Sequence, residues 1–336
     1  MVIRFVCFVV CTFSFGVFGG AYSPSDQLAL AVRNNDLIQV ERLLAQGVRP
    51  DDAVIRFPND IVAPVIVWAA NEAVRLPVLA KLVLAEADVN LRLHGGPNHG
   101  AGALHFAAKN GLIPATEVLL SKGAPIDATS GDGFQAIHIA ASRGHAELVK
   151  FLVRQGASVN ARTRLGVTPL MTAAQSGQVY VINELLILGA DPNLKSETPG
   201  EMHGATALMW ATFGGRVQAA KALAAVSDLR AQATNGDSAL AIAYKRSRET
   251  IASYLWGLVR DSISRAVDYG EALKALERVE QGAVGNKVDD GGKGERAKPM
   301  DAAPLQQPLH QPPPPTNPHA AEAVDDSLMQ QIYAAE

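Results

Sequence analysis

The side chains able to do chemistry are sparse in this chain, and their spacing suits little of it. His94 and His99 share the glycine-rich stretch "LRLHGGPNH", and His203 follows "LKSETPGEM". A zinc centre takes three or four imidazole, thiolate or carboxylate ligands. His94 and His99 supply two. His105, His138 and His145 have no serine or cysteine placed to complete a nucleophile–base pair. The glycines of "HGGPNHGAG" lack the Lys-Ser/Thr end of a phosphate loop. No two carboxylates are set up for acid–base work, and Asp51–Asp52 read as a solvated turn. Both cysteines, Cys7 and Cys11, fall in an N-terminal apolar segment, so its removal leaves no thiol for catalysis, metal or disulfide. The expectation is a protein that is not an enzyme, with no cofactor and no resident metal.

The bulk properties narrow the partner. Net charge is −3 over 336 residues, which gives no basic field to hold nucleic acid. Arg4 precedes an apolar run from Phe5 to Gly20, and Gly19 and Ala21 sit where a cleavage site wants small residues. Residues 1–21 therefore read as a signal peptide, too short for an ordinary spanning helix. The expected location is periplasmic or secreted, without membrane insertion after cleavage. An uncleaved signal anchored in an inner membrane is the alternative. The missing disulfides and the absence of any Asn-x-Ser/Thr acceptor lean towards a bacterial envelope.

The elements that must position these side chains come from a repeat. "GFQAIHIAASRGHAELVKFLVRQGASVN" (Gly133 to Asn160) returns as "GVTPLMTAAQSGQVYVINELLILGADPN" (Gly166 to Asn193). The opening glycine recurs at Gly100, Gly133, Gly166, Gly204 and Gly236, a second at Gly111, Gly144, Gly177 and Gly215, and a third at Gly123, Gly156 and Gly189. Periods near 33 predict stacked units. Thr168–Pro169 reads as a capped helix start, with Thr206 and Ser238 in the same place and weaker starts at Gly102 and Gln135. The second glycine reads as the left-handed stop of helix one. Ala107–Ala108, Ala140–Ala141 and Ala173–Ala174 let neighbouring helices approach. Helix two then carries one apolar face: Val40, Leu43 and Leu44 in the first unit, Val149, Leu152 and Val153 in the middle, Ala252, Leu255 and Trp256 at the end.

"GVTPLMTAA", "SRGHAELVKFLVRQGASVN" and "ILGADPN" resemble the ankyrin repeat. The resemblance covers about residues 25–257 and is strongest in the middle three units. It implies an all-α solenoid of six to seven helix pairs with short β-hairpin fingers, which binds a protein partner through the fingers and the concave helix face. His105 and His138 then stand as the family's structural histidines. The units run approximately 25–57, 58–99, 100–132, 133–165, 166–203, 204–235 and 236–257. The first lacks its leading finger.

Two fingers are long, 91–99 and 194–203. Insertions in repeat proteins map to one face, often the binding face, though surface drift also produces them. Three units separate His203 from His94 and His99, roughly 30 Å at 8–10 Å per helix step, too far to share an ion. Trp68, Phe106, Ile139, Thr172 and Trp210 share one helix-one column and read as core. The candidate partner contacts are finger and helix-end residues: His99, Lys109, Phe134, Arg143, Arg162, Arg164, Gln175, His203 and Phe213. Exposed Phe134 and Phe213 would suit an interface hot spot.

Beyond the array, 258–281 reads as a capping helix and 282–327 as a disordered Gly/Pro-rich arm. Residues 328–336 read as a short docking helix. The function expected is an adaptor that works as a monomer, with a secreted effector acting on host proteins as the alternative.

Overall fold

Every repeated phrase folds into a pair of short helices. The computed structural model describes residues 22–57 and 60–260. Among them the pairs are α1 (Pro24–Arg33) with α2 (Leu37–Ala45), α3 (Val65–Ala69) with α4 (Leu76–Leu84), and α5 (Ala103–Lys109) with α6 (Ile113–Ser121). Then follow α7 (Ala136–Arg143) with α8 (Ala146–Arg154), α9 (Pro169–Ser176) with α10 (Val179–Ile187), and α11 (Ala207–Phe213) with α12 (Val217–Ala224). The last pair is α13 (Ala239–Lys245) with α14 over 249–260. The expected signal peptide, the cap past residue 260, the arm and the terminal short helix lie outside the described residues.

The helix starts divide by chemistry. Hydroxyl or carboxylate caps close four of them: Ser23 accepts from the Asp26 N–H at 3.1 Å, Asp36 from Gln39 at 3.0 Å, Thr168 from Met171 at 3.3 Å and Ser238 from Ala241 at 3.3 Å. Thr206 occupies the same position and makes no such bond. The starts at Gly102 and Gln135, which have no hydroxyl, are closed from the other side. His105 Nδ1 accepts from the Gly102 N–H at 3.1 Å and His138 Nδ1 from the Gln135 N–H at 3.3 Å, so a side chain in the first turn satisfies an amide the helix leaves open. At the far end, Gly144 and Gly177 take φ of 84° and 78°, the left-handed stop that lets the chain double back.

Helix pairs then stack in two rows. The first helices α1, α3, α5, α7, α9, α11 and α13 each pack on the next. The alanine pairs at 107–108, 140–141 and 173–174 are fully buried, which lets those backbones close together. In the second row Leu119, Val149, Leu152, Ile182, Leu185 and Leu223 are all 0% exposed. A fully buried Leu, Ile or Val contributes about 1.5–3 kcal/mol. Trp256 departs from the column. It is 51% exposed, whereas Ala252 and Leu255 of the same helix are buried.

The fingers are tighter than full hairpins. Among the described residues only the first is a two-stranded sheet, β1 (Val54–Arg56) antiparallel to β2 (Val62–Pro64) with Ile55 opposite Ala63. The later ones contain single bridges such as Thr129–Gln135 and Gln232–Ser238, since so few residues leave room for a turn and one pair. Three fingers are joined to the next by a backbone hydrogen bond of one kind. The carbonyl before the marker glycine accepts an amide about one unit later: His99 from Gly131 at 2.9 Å, Leu165 from Glu197 at 2.7 Å, His203 from Thr234 at 2.8 Å. At Gly100, φ is +77° and a Cβ would meet the Gly131 nitrogen at 2.7 Å, so the glycine is required by conformation and by approach. A second ladder runs beneath. Asp51, Asn160 and Asn193 each accept, through Oδ1, the amide of Asp88, Asp191 and Asp228 at 2.8, 3.0 and 2.9 Å. Asp51 is thus an inter-unit acceptor rather than a merely solvated turn residue.

Candidate protein-binding surface

The fingers and the ends of the first helices form the surface to be judged. His138 shows how they are fixed. Its Nε2 lies 3.1 Å from both the Ala161 and Val167 carbonyls of the next finger, while Nδ1 accepts from Gln135. That pattern requires the neutral ring with its proton on Nε2. Burial, opposed by these carbonyls, lowers its pKa to about 4. His105 repeats the arrangement, with Nε2 donating to the Phe134 carbonyl at 3.1 Å. Burial chiefly, with the Arg92 charge adding, lowers its pKa to about 4 as well. In the next unit Met171 takes the place, and its sulfur receives the Thr168 N–H at 3.4 Å. There the Thr172 hydroxyl shares its proton between the Pro169 carbonyl of its own helix at 2.8 Å and the His138 carbonyl of the preceding unit at 3.2 Å.

The helix ends are tied by the residue after each stop glycine. His145 Nε2 donates to the Lys109 carbonyl at 3.0 Å, Gln178 Nε2 to Ser142 at 3.4 Å and Arg216 Nε to Gln175 at 3.0 Å. Carbonyls at helix C-termini have no partner within the helix, so each unit satisfies the one before it. The period already brought these three residues to one position, yet their types differ and the shared role stays hidden in the sequence.

The candidate contacts separate on this scaffold. His99, Arg162, Arg164 and His203 are exposed on fingers. Lys109, Arg143, Gln175 and Phe213 lie half-buried along one edge, at the ends of α5, α7, α9 and α11. The two aromatic rings expected to be open are both covered. Phe134 is half-buried and meets the His138 ring edge-on at 5.9 Å, and Phe213 lies under the Arg246 guanidinium at 4.1 Å.

Both long fingers are folded. In the later one the Ser196 hydroxyl donates to the Met202 carbonyl at 2.7 Å and Met202 is buried. Arg162 pairs with Glu197 at 2.9 Å, and Arg246 with Glu201 at 2.5 Å. The earlier finger lies beside the hairpin through an exchange between Val62 and His94, at 2.9 and 3.0 Å. Arg92 donates to Gly100 at 2.9 Å and also to the Thr129 carbonyl. The His94 and His99 rings are 6.0 Å apart, and His99 Nδ1 is occupied by the Gly95 N–H. Among the described residues no three His, Cys, Asp or Glu side chains are grouped as metal ligands would be.

The middle of this stack of helix pairs, residues 104–196, is matched by a known family. The family model for ankyrin repeats fits residues 104–196 in three copies. Residues 104–196 are ankyrin repeats. The match runs from α5 through α10 into the long finger, the part with the most regular glycine spacing. No curated protein matches the chain. Ankyrin repeats mark a protein–protein interaction module, typically a scaffold without catalysis.

The reading of Trp68 and Phe106 as core changes. Thr172 and Trp210 of that column are buried and Ile139 is half-buried against the core, but Trp68 and Phe106, also half-buried, line a cleft of about 210 Å³ beside the first hairpin.

Proposed function

We propose that this chain is an exported, non-enzymatic adaptor whose ankyrin array holds a protein partner in the cell envelope or periplasm. The partner is read by the finger row, with Arg162, Arg164, His99 and His203 as side-chain contacts and the helix-one ends as the adjoining surface. The observation that carries the reading is the ladder of finger-to-finger hydrogen bonds. It makes a row of exposed side chains into a rigid platform, so binding does not have to order it. The export half rests on the sequence of residues 1–21. Among the described residues no helix is long and apolar enough to cross a membrane.

The test is affinity capture from the producing cell's envelope fraction, using the chain from residue 22 and an Arg162→Ala/Arg164→Ala/His203→Ala variant. A specific protein retained by the first and lost by the second supports the reading. Retention by both moves the contact away from the fingers. Recovery of the protein only outside the producer would replace the envelope adaptor by an effector acting elsewhere.

A further inference from the structure

The cleft at the second unit has a chemistry the finger row lacks. Its walls are aromatic: Phe57 from the hairpin, Trp68 from α3 and Phe106 from α5. Phe57 and Trp68 are 5.4 Å apart, and the Arg75 guanidinium lies 5.0 Å from the Trp68 ring. The rim is the stretch Gly95 to Asn98 of the long finger. Gly95 and Gly96 take φ of +77° and +69°, and a Cβ on Gly96 would meet the Ile61 side chain at 2.8 Å. The rim is therefore pressed against the hairpin in a form only glycine allows. The Trp68 indole N–H does not open into the cleft: it is buried and has no acceptor among the described residues. A buried donor without a partner costs about 1–3 kcal/mol.

Aromatic walls fit a peptide of flat apolar rings, which describes a proline run. Proline has no N–H, its extended helix makes no internal hydrogen bonds, and aromatic grooves recognise it. This chain contains such a run, "PLHQPPPPTNP", with Pro312–Pro315 consecutive. Tether length permits the visit. From Arg260 to Pro308 is about 48 residues, up to ~160 Å when extended. The cleft lies five helix pairs back, about 50 Å at the usual helix spacing. Tethering sets a local concentration on the order of millimolar, so weak docking is enough.

We propose that the cleft formed by Phe57, Trp68, Phe106 and the Gly95–Asn98 rim is the docking site for this chain's own proline run, Pro312–Pro315. A partner approaching the first hairpin must displace it. The proposal does not depend on where the protein works or on which partner the fingers hold.

A photo-crosslinking benzophenone amino acid placed at Pro97 in the full chain tests this, with mass spectrometry locating the product. Intramolecular cross-links to 308–318 are expected, falling about tenfold when Pro312–Pro315 become Gly-Ser-Gly-Ser, with the melting temperature unchanged. Cross-links to a second copy, to another segment, or unaltered by the proline replacement overturn it. If the label at Pro97 lowers the melting temperature, Asn98 carries it instead. As a second readout in a Trp210→Phe/Trp256→Phe background, acrylamide quenching of Trp68 rises once the prolines are replaced. Unchanged quenching counts against the proposal.

Discussion

His105 and His138 should make the stability of the array depend on pH in a narrow and assignable window. An unfolded histidine takes its proton near 6.5, whereas burial lowers both rings to about 4 in the folded protein. Between these values the unfolded chain binds more protons than the folded one, so stability rises with pH. The contribution is complete above about 6.5 and is lost progressively as pH falls to about 4. A shift of about 2.5 units corresponds to ~3 kcal/mol per ring; at pH 5 about 2 kcal/mol per ring is already gone, ~4 kcal/mol for the pair. The assay is urea unfolding at pH 7.5, 6, 5 and 4.5 for the wild type, His105→Gln, His138→Gln and the double variant. Each substitution will lower stability at pH 7.5 by about 1–3 kcal/mol, since buried carbonyls or amides lose their partner. The diagnostic quantity is the difference between pH 7.5 and pH 5, which should shrink by ~2 kcal/mol for each histidine removed. If the double variant keeps the wild-type pH dependence, or either imidazole titrates near 6.5 by NMR in the folded protein, the reasoning fails.

Three further outcomes follow from the packing. Leu152→Ala removes a fully buried side chain and should cost 2–5 kcal/mol in urea unfolding, while Tyr180→Ala, at 71% exposure, should stay within about 0.5 kcal/mol. Gly123 and Gly133 have nearly equal φ, +83° and +82°, but only at Gly133 would a Cβ meet backbone, the Arg164 nitrogen at 2.8 Å. Gly123→Ala should therefore cost about 1 kcal/mol for the left-handed backbone alone, and Gly133→Ala clearly more. Equal costs would show that the fingers yield to one another. Arg162→Ala removes an ion pair that is 38% and 65% exposed, so it should change the melting temperature little, worth less than about 1 kcal/mol, while weakening partner capture.

Much of the architecture is local, and the sequence by itself determined it. The three recurring glycines mark positions of positive φ, and a residue's own chemistry decides whether it can sit there. Thr168, Ser238 and the apolar face with Leu119, Leu152 and Leu185 are equally legible, since capping and helical periodicity act within one turn or one helix. The regular units at 104–196 are where these signals are cleanest, and there the family is recognisable.

Tertiary structure alone decided what happens between units. Phe213 falls on an outward phase yet is covered by Arg246, 33 residues on, and Phe134 is half-buried as its unit packs on the next, with His138 of its own unit edge-on to it. Asp51 looks like a solvent turn until Asp88, 37 residues on, brings its amide to it. His145, Gln178 and Arg216 share a position and a role but no chemical type. The long fingers read as loose insertions, and their folded form depends on Val62, Arg162 and Arg246 in neighbouring units. Trp68 and Phe106 follow the core column but border a cleft, because the irregular second unit brings a hairpin and a glycine rim beside them. The physical reason is common to all of these. Periodicity records what a residue needs from its own helix or turn, whereas exposure and partnership are set by side chains some thirty residues away, whose placement exists only once the units have stacked.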